Sequence, residues 1–341
     1  MTPTVRHTSS LTPASPAAPR PRSGVGFPPG PVRRWLRGLV VAACLPYLSL
    51  KCVWVAGGEL GIPAGSVLLE HPGTMAAANA VTLVADLVVV VLALLLTQDW
   101  GRRVPAWLLV PPLWAATGLL VPIMTGYPAQ LLAALATGDE RTAAPAEPFL
   151  EPWVFGVVYG GFILQGLALG ALSLLYARDR WGRLWRGRPG EPSAGPRTRA
   201  AAVTGAVLAL VPASLHLMWA AGATTGLTAR QAAERDADFH ILEAQRFGFT
   251  AVAATAVLVL VLGRPARLKL RLRPVLAAAW VAPAAASCWG AYMSLVALLP
   301  VADPAERVTV LTRLSYAGDM ITGFLLAACA AVVLRRRGAG A

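Results

Sequence analysis

The chain has 341 residues, of which 56% are hydrophobic and 14% charged; its mean hydropathy is +0.58 and its net charge +13. That is more apolar surface than one soluble core of this length buries, which excludes an ordinary soluble domain. The basic balance fits nucleic-acid binding only if the positive charge forms one surface, and its distribution along the chain excludes that.

Residues 1–32 are rich in Pro, Ser, Thr, Ala and Arg without an apolar period, and are expected to form a disordered cytoplasmic tail. Eight apolar segments follow, near 36–56, 76–97, 106–126, 153–177, 200–222, 246–263, 275–299 and 313–334. Each is long enough to cross about 30 Å of hydrocarbon as a helix. The first is of spanning length and starts more than thirty residues in, so it reads as an anchor rather than a cleavable signal peptide. The expected fold is an all-α integral membrane protein. The four cysteines, Cys44, Cys52, Cys288 and Cys329, all fall within these segments, so disulfides are not expected.

The segment Leu50-Lys51-Cys52-Val53-Trp54-Val55-Ala56-Gly57, with Gly61 beyond it, returns 165 residues later as Leu215-His216-Leu217-Met218-Trp219-Ala220-Ala221-Gly222, with Gly226. A second match pairs Tyr159-Gly160-Gly161 and Gln165-Gly166 with Tyr316-Ala317-Gly318 and Thr322-Gly323. The expected organisation is two parallel four-helix repeats, 33–177 and 200–337, joined by a basic linker at 178–199 and followed by a short tail at 338–341. Within the motif, Gly57, Gly61, Gly222 and Gly226 either let helices approach closely or end them. Trp54 and Trp219 are expected to anchor at the boundary between lipid tails and headgroups. Pro46 and Pro212 are placed to kink the helices that carry them.

With the amino terminus inside, the inner segments hold 23 of the 30 Lys and Arg residues and three of the 17 acids. The positive-inside rule then sets both termini in the cytoplasm and makes the plasma membrane the expected location. The basic loops, such as Arg264 to Arg273, are also candidates for contact with anionic lipid headgroups. The expected partner is the lipid bilayer rather than nucleic acid, and protein partners are unspecified.

Ionisable groups inside a bilayer are costly and mark candidate sites. Asp86 lies near the middle of the second span, Asp319 and His216 lie some way inside the eighth and fifth, and Lys51 occupies the motif position of His216. Lys51 is a partner for Asp86 or Asp319, and His216 for Asp319. One reading is a proton- or cation-linked path; the other has Lys51 snorkelling to the surface, His216 neutral and the acids holding helices in register. Gln165 and Thr322 are expected to be interhelical hydrogen-bond contacts. Before the sixth span, Asp236, Asp238, His240 and Glu243 form a weak metal candidate on the outer face, with Glu70 and His71 in the corresponding loop of the first half. An ordinary solvated lead-in to a helix explains them better, and no metal is assigned. No dinucleotide fingerprint, Walker loop or nucleophile elbow is present, so no cofactor is expected.

The stretch Leu45-Pro46-Tyr47-Leu48-Ser49-Leu50-Lys51-Cys52-Val53-Trp54-Val55-Ala56-Gly57-Gly58-Glu59-Leu60-Gly61 resembles the first span of uncharacterised multi-pass membrane proteins of actinobacteria. The resemblance implies a membrane fold and carries over no activity and no site residues. Three functions are compatible with the sequence: a small-solute or ion-coupled permease built on Asp86, Asp319, His216 and Lys51 between the repeats; a non-catalytic assembly or anchoring subunit; and, ranked last, an outer-face enzyme using His71, Asp238, His240 and Glu243.

Overall fold

The computed structural model describes residues 30–70, 72–138, 149–185, 194–233, 235–263, 271–298 and 307–339. Among these residues there is no strand. Eight helices are long and apolar enough to cross a membrane: α1 (Pro31–Val55), α2 (Pro72–Thr97), α3 (Ala106–Thr137), α4 (Pro152–Trp181), α5 (Pro196–Ala220), α6 (Ala237–Leu262), α7 (Leu272–Val296) and α8 (Val310–Ala339). Leu, Val and Ala runs propagate them, Pro at the first turn starts α1, α4 and α5, and Pro46 and Pro212 are accommodated inside α1 and α5. The chain is thus a polytopic membrane protein, and Val81, Leu132, Leu174, Leu210 and Leu314 point outward toward lipid.

Two ends differ from expectation. Helix α3 continues to Thr137 through Pro122 and Pro128, and closes on Gly138 in the left-handed conformation. Helix α6 begins nine residues earlier than its apolar run, because the Asp236 carboxylate caps it by accepting from the Phe239 N–H at 2.8 Å. His240 and Glu243, expected in the loop before the span, are therefore helical.

The two groups of four helices share three pairings and differ in a fourth, since α6 also packs closely on α7 whereas α2 barely touches α3. In the first, α1 packs on α2 and α4, and α3 on α4; in the second, α5 packs on α6 and α8, and α7 on α8. The two groups meet chiefly where α3 crosses α7. At that seam the Trp114 indole donates to the Trp280 carbonyl at 3.2 Å, the Trp280 indole to Thr117 Oγ1 at 3.3 Å, and the Trp289 indole to the Leu119 carbonyl at 3.2 Å. Gly118 permits the crossing, since a Cβ there would collide with the Ala284 carbonyl.

The Trp-x-x-Gly motif forms a helix terminus and turn in both groups. Gly58 and Ala223 donate back to the Val53 and Met218 carbonyls at 2.8 and 2.9 Å, closing α1 and α5. The Trp54 indole donates to the Leu60 carbonyl at 2.8 Å, and the Trp219 indole to the Thr225 carbonyl at 3.0 Å. These rings are 6% and 1% exposed, so they are buried clasps of the following loop rather than anchors at the lipid boundary. Gly57, Gly61, Gly222 and Gly226 all have positive φ, and a Cβ on Gly61 or Gly226 would strike Val154 or Leu311 at the start of α4 or α8. The glycines end the helices and seat the turn.

Candidate functional site

Each group of four helices encloses one polar cluster. In the first, α1 presents Tyr47 and Lys51 one turn apart, so both point to the same interior. The Lys51 ammonium forms a direct ion pair with Asp86 of α2 and lies over the Tyr47 and Phe162 rings at 5.0 and 5.8 Å. Lys51 therefore turns inward instead of snorkelling out. Tyr47 Oη is 2.5 Å from Gln165 Oε1 and 3.3 Å from Asp86 Oδ1, and its single proton serves one of them at a time. Rotating the Gln165 amide by a half-turn lets its nitrogen donate to Tyr47 and Tyr47 donate to Asp86, which completes the chain. One cation faces one carboxylate, so this cluster is balanced without a mobile proton.

In the second cluster the equivalent motif position holds His216, wholly buried, with both ring nitrogens engaged. Its Nδ1 is 2.5 Å from Glu243 Oε2 of α6, and its Nε2 is 2.8 Å from Asp319 Oδ2 of α8. The other oxygen of Glu243 accepts from Arg246 Nη1 at 2.8 Å, and the other oxygen of Asp319 accepts from Thr250 at 3.0 Å. Arg246 also lies over the Tyr316 ring at 5.5 Å. Glu243, Arg246 and Thr250 recur at helical spacing and form one polar stripe on α6.

Two nitrogen–oxygen contacts need two protons, and a neutral imidazole has only one N–H. With both carboxylates ionised and one arginine beside them, an imidazolium brings the cluster to zero net charge; with neutral imidazole, one carboxyl must carry the proton instead. Either way the Glu243–His216–Asp319 line holds one more proton than its parts would carry as neutral imidazole and two carboxylates. Uncompensated charge at this burial is costly, so loss of that proton leaves the cluster with a surplus negative charge that favours its return.

Of the residues selected from sequence, Lys51 meets Asp86 and His216 meets Asp319, but the two pairs lie in different groups of helices. Among the described residues no hydrogen bond or ion pair joins them. The expectation of one shared polar site between the halves is therefore corrected to two separate clusters. Glu243, a weak metal candidate, is instead the second carboxylate on His216. Asp236 is a helix cap, and His240 Nδ1 is 3.1 Å from the Ala220 carbonyl. No group of three or more metal-ligating side chains converges among the described residues. Glu70 is exposed, and His71 lies outside the described residues. Thr322 returns its hydroxyl to the Gly318 carbonyl of its own helix at 2.7 Å, whereas Gln165 does reach across to α1. Sequence reasoning missed Tyr47, Arg246, Thr250 and Tyr316; the four-residue spacing of Tyr47 and Lys51 and the Glu243–Arg246–Thr250 stripe were the available signals.

Compared with protein-family models, characterised proteins and solved structures, the chain matches none.

Proposed function

We propose that this protein binds and exchanges a proton within the membrane, as a permease that moves protons across it. The observation that carries this reading is His216 held between two buried carboxylates at 2.5 and 2.8 Å, an arrangement that stores a proton where water is scarce. The first cluster is then the fixed counterpart, an ion pair that sets helix packing. The reading includes a duplicated chain. It is supported by indole clasps whose donors and acceptors are both offset by 165 residues, and by Gly161 packing on α1 as Gly318 packs on α5. It also includes the plasma membrane with both termini cytoplasmic, supported by the distribution of Lys and Arg, and anionic headgroups at the basic loops.

The test is proteoliposomes loaded with a pH-sensitive dye and subjected to an imposed membrane potential. Potential-driven proton movement in the native protein, lost in Asp319→Asn and His216→Gln, is the expected result. Proton movement no faster than in protein-free vesicles would end the reading. A second reading, a non-transporting assembly subunit, is favoured by the closed packing of the first cluster, where Lys51, Asp86 and Gln165 are 7%, 6% and 0% exposed. It predicts normal membrane insertion and a silent vesicle assay.

A further inference from the structure

Beside Asp319 the seam between the two groups of helices leaves a cavity of about 20 Å³. Its walls include Pro122 of α3, Arg246 and Thr250 of α6, Trp289 of α7, and Tyr316 and Asp319 of α8. That volume suits one water molecule and no organic solute, and a water is retained only where polar partners surround it. The Asp319 carboxylate has about four acceptor directions; Thr250 and His216 use two of them. Arg246 spends one donor on Glu243 and also borders the cavity.

Gly290 of α7 lies against α8 where a Cβ would strike the Tyr316 carbonyl and the Asp319 Cβ, so the absence of a side chain lets α7 pack directly on the turn of α8 that carries the acid. Ala285 and Ala286 line the wall beside it. On the α3 side, Gln245 donates to the Pro122 carbonyl at 2.9 Å and to Thr125 Oγ1, tying α6 to α3 at the cavity wall. The Trp289 and Met293 side is only partly buried, which puts the cavity between the surface and the acid.

We propose that this cavity is a binding site for a single water or hydronium ion, and that it is the route by which a proton reaches His216. The proposal rests on the proton-binding function above. A hydronium in the cavity gives its proton to the Asp319 carboxylate and becomes water; the Asp319 O–H then protonates neutral Nε2 and Asp319 is ionised again, while the other proton stays on Nδ1 and donates to the ionised Glu243. The groups facing this path are His216 from α5, Glu243 and Arg246 from α6, and Tyr316 and Asp319 from α8. Helix α7 contributes no ionisable side chain to the wall.

Two measurements test it. Hydroxyl-radical footprinting by X-ray radiolysis, on the native protein in nanodiscs, reports bound water without requiring transport: modification of Met293 and Tyr316 is expected, and their protection would overturn the water site. Potential-driven proton movement in proteoliposomes is then compared between the native protein and Ala286→Leu, which fills the cavity without touching the hydrogen bonds of His216. Flux falling to that of protein-free vesicles, together with loss of the footprint, is expected. Unchanged flux in Ala286→Leu would overturn the route while leaving the proton site intact. Native protein that shows the footprint but no flux supports the water site and ends the transport reading instead.

Discussion

The two groups of four helices share three helix pairings, clasped tryptophans and glycine turns, yet carry different groups at the corresponding motif position: Lys51 in the first and His216 in the second. Lysine brings one fixed charge and meets one carboxylate. Histidine brings two opposed nitrogens and meets a carboxylate on each side, from α6 and α8. The difference lies in how the charge is balanced: the first cluster has a permanent cation for its one carboxylate, and the second reaches neutrality only with one added proton on the histidine and its two acids.

The comparison breaks most visibly if one partner of the fixed pair is removed. Asp86→Ala strands the Lys51 ammonium in the interior, and a loss of about 3–5 kcal/mol is expected in thermal or denaturant unfolding in detergent. Lys51→Met combined with Asp86→Leu should recover most of that loss, because a packed apolar pair replaces a buried ion pair at little cost. Failure of the double variant to recover would give the first cluster a role beyond packing.

The second cluster should respond to pH where the first does not. His216→Asn leaves Glu243 and Asp319 facing each other with Arg246 alone as counter-charge, an excess of one negative charge. Destabilisation at pH 8 is therefore expected to lessen toward pH 5, as one carboxyl takes up a proton. The sign follows from charge balance: protonation removes the surplus negative charge. A melting temperature that is no higher at pH 5 than at pH 8 would count against a shared proton.

Smaller effects sharpen the likeness of the two groups. Trp54→Phe and Trp219→Phe each remove one indole hydrogen bond to a loop carbonyl, for about 0.5–1.5 kcal/mol apiece in the same unfolding assay. The two losses should agree within that range, and a much larger loss at only one would show that the clasps differ in role. Thr250→Val deletes one donor to Asp319 and should cost about 1 kcal/mol. Its vesicle proton movement should persist, since His216 still contacts the acid.

The eight helices were legible because apolar length and composition dictate a span whatever its neighbours do. Their polar ends were not. Asp236, Asp238, His240 and Glu243 read as loop because acids crowd a helix start, yet Asp236 caps α6 and Glu243 faces inward. The Lys51–Asp86 pair was one of two options left open by depth alone. The second carboxylate on His216 came from a helix whose start had been placed too late. Burial of the tryptophans was invisible because it arises from the turn that each indole closes, a geometry that residue type does not specify. Separation of the two clusters likewise follows from which helices form the seam, and hydrophobic runs do not encode their neighbours.

The most direct test is ¹⁵N NMR of histidine-labelled protein in nanodiscs, with His216→Gln used to assign the ring. Signals from two strongly hydrogen-bonded ring nitrogens that move with external pH are predicted. A single fixed N–H tautomer, unchanged between pH 5 and pH 8, would contradict the account.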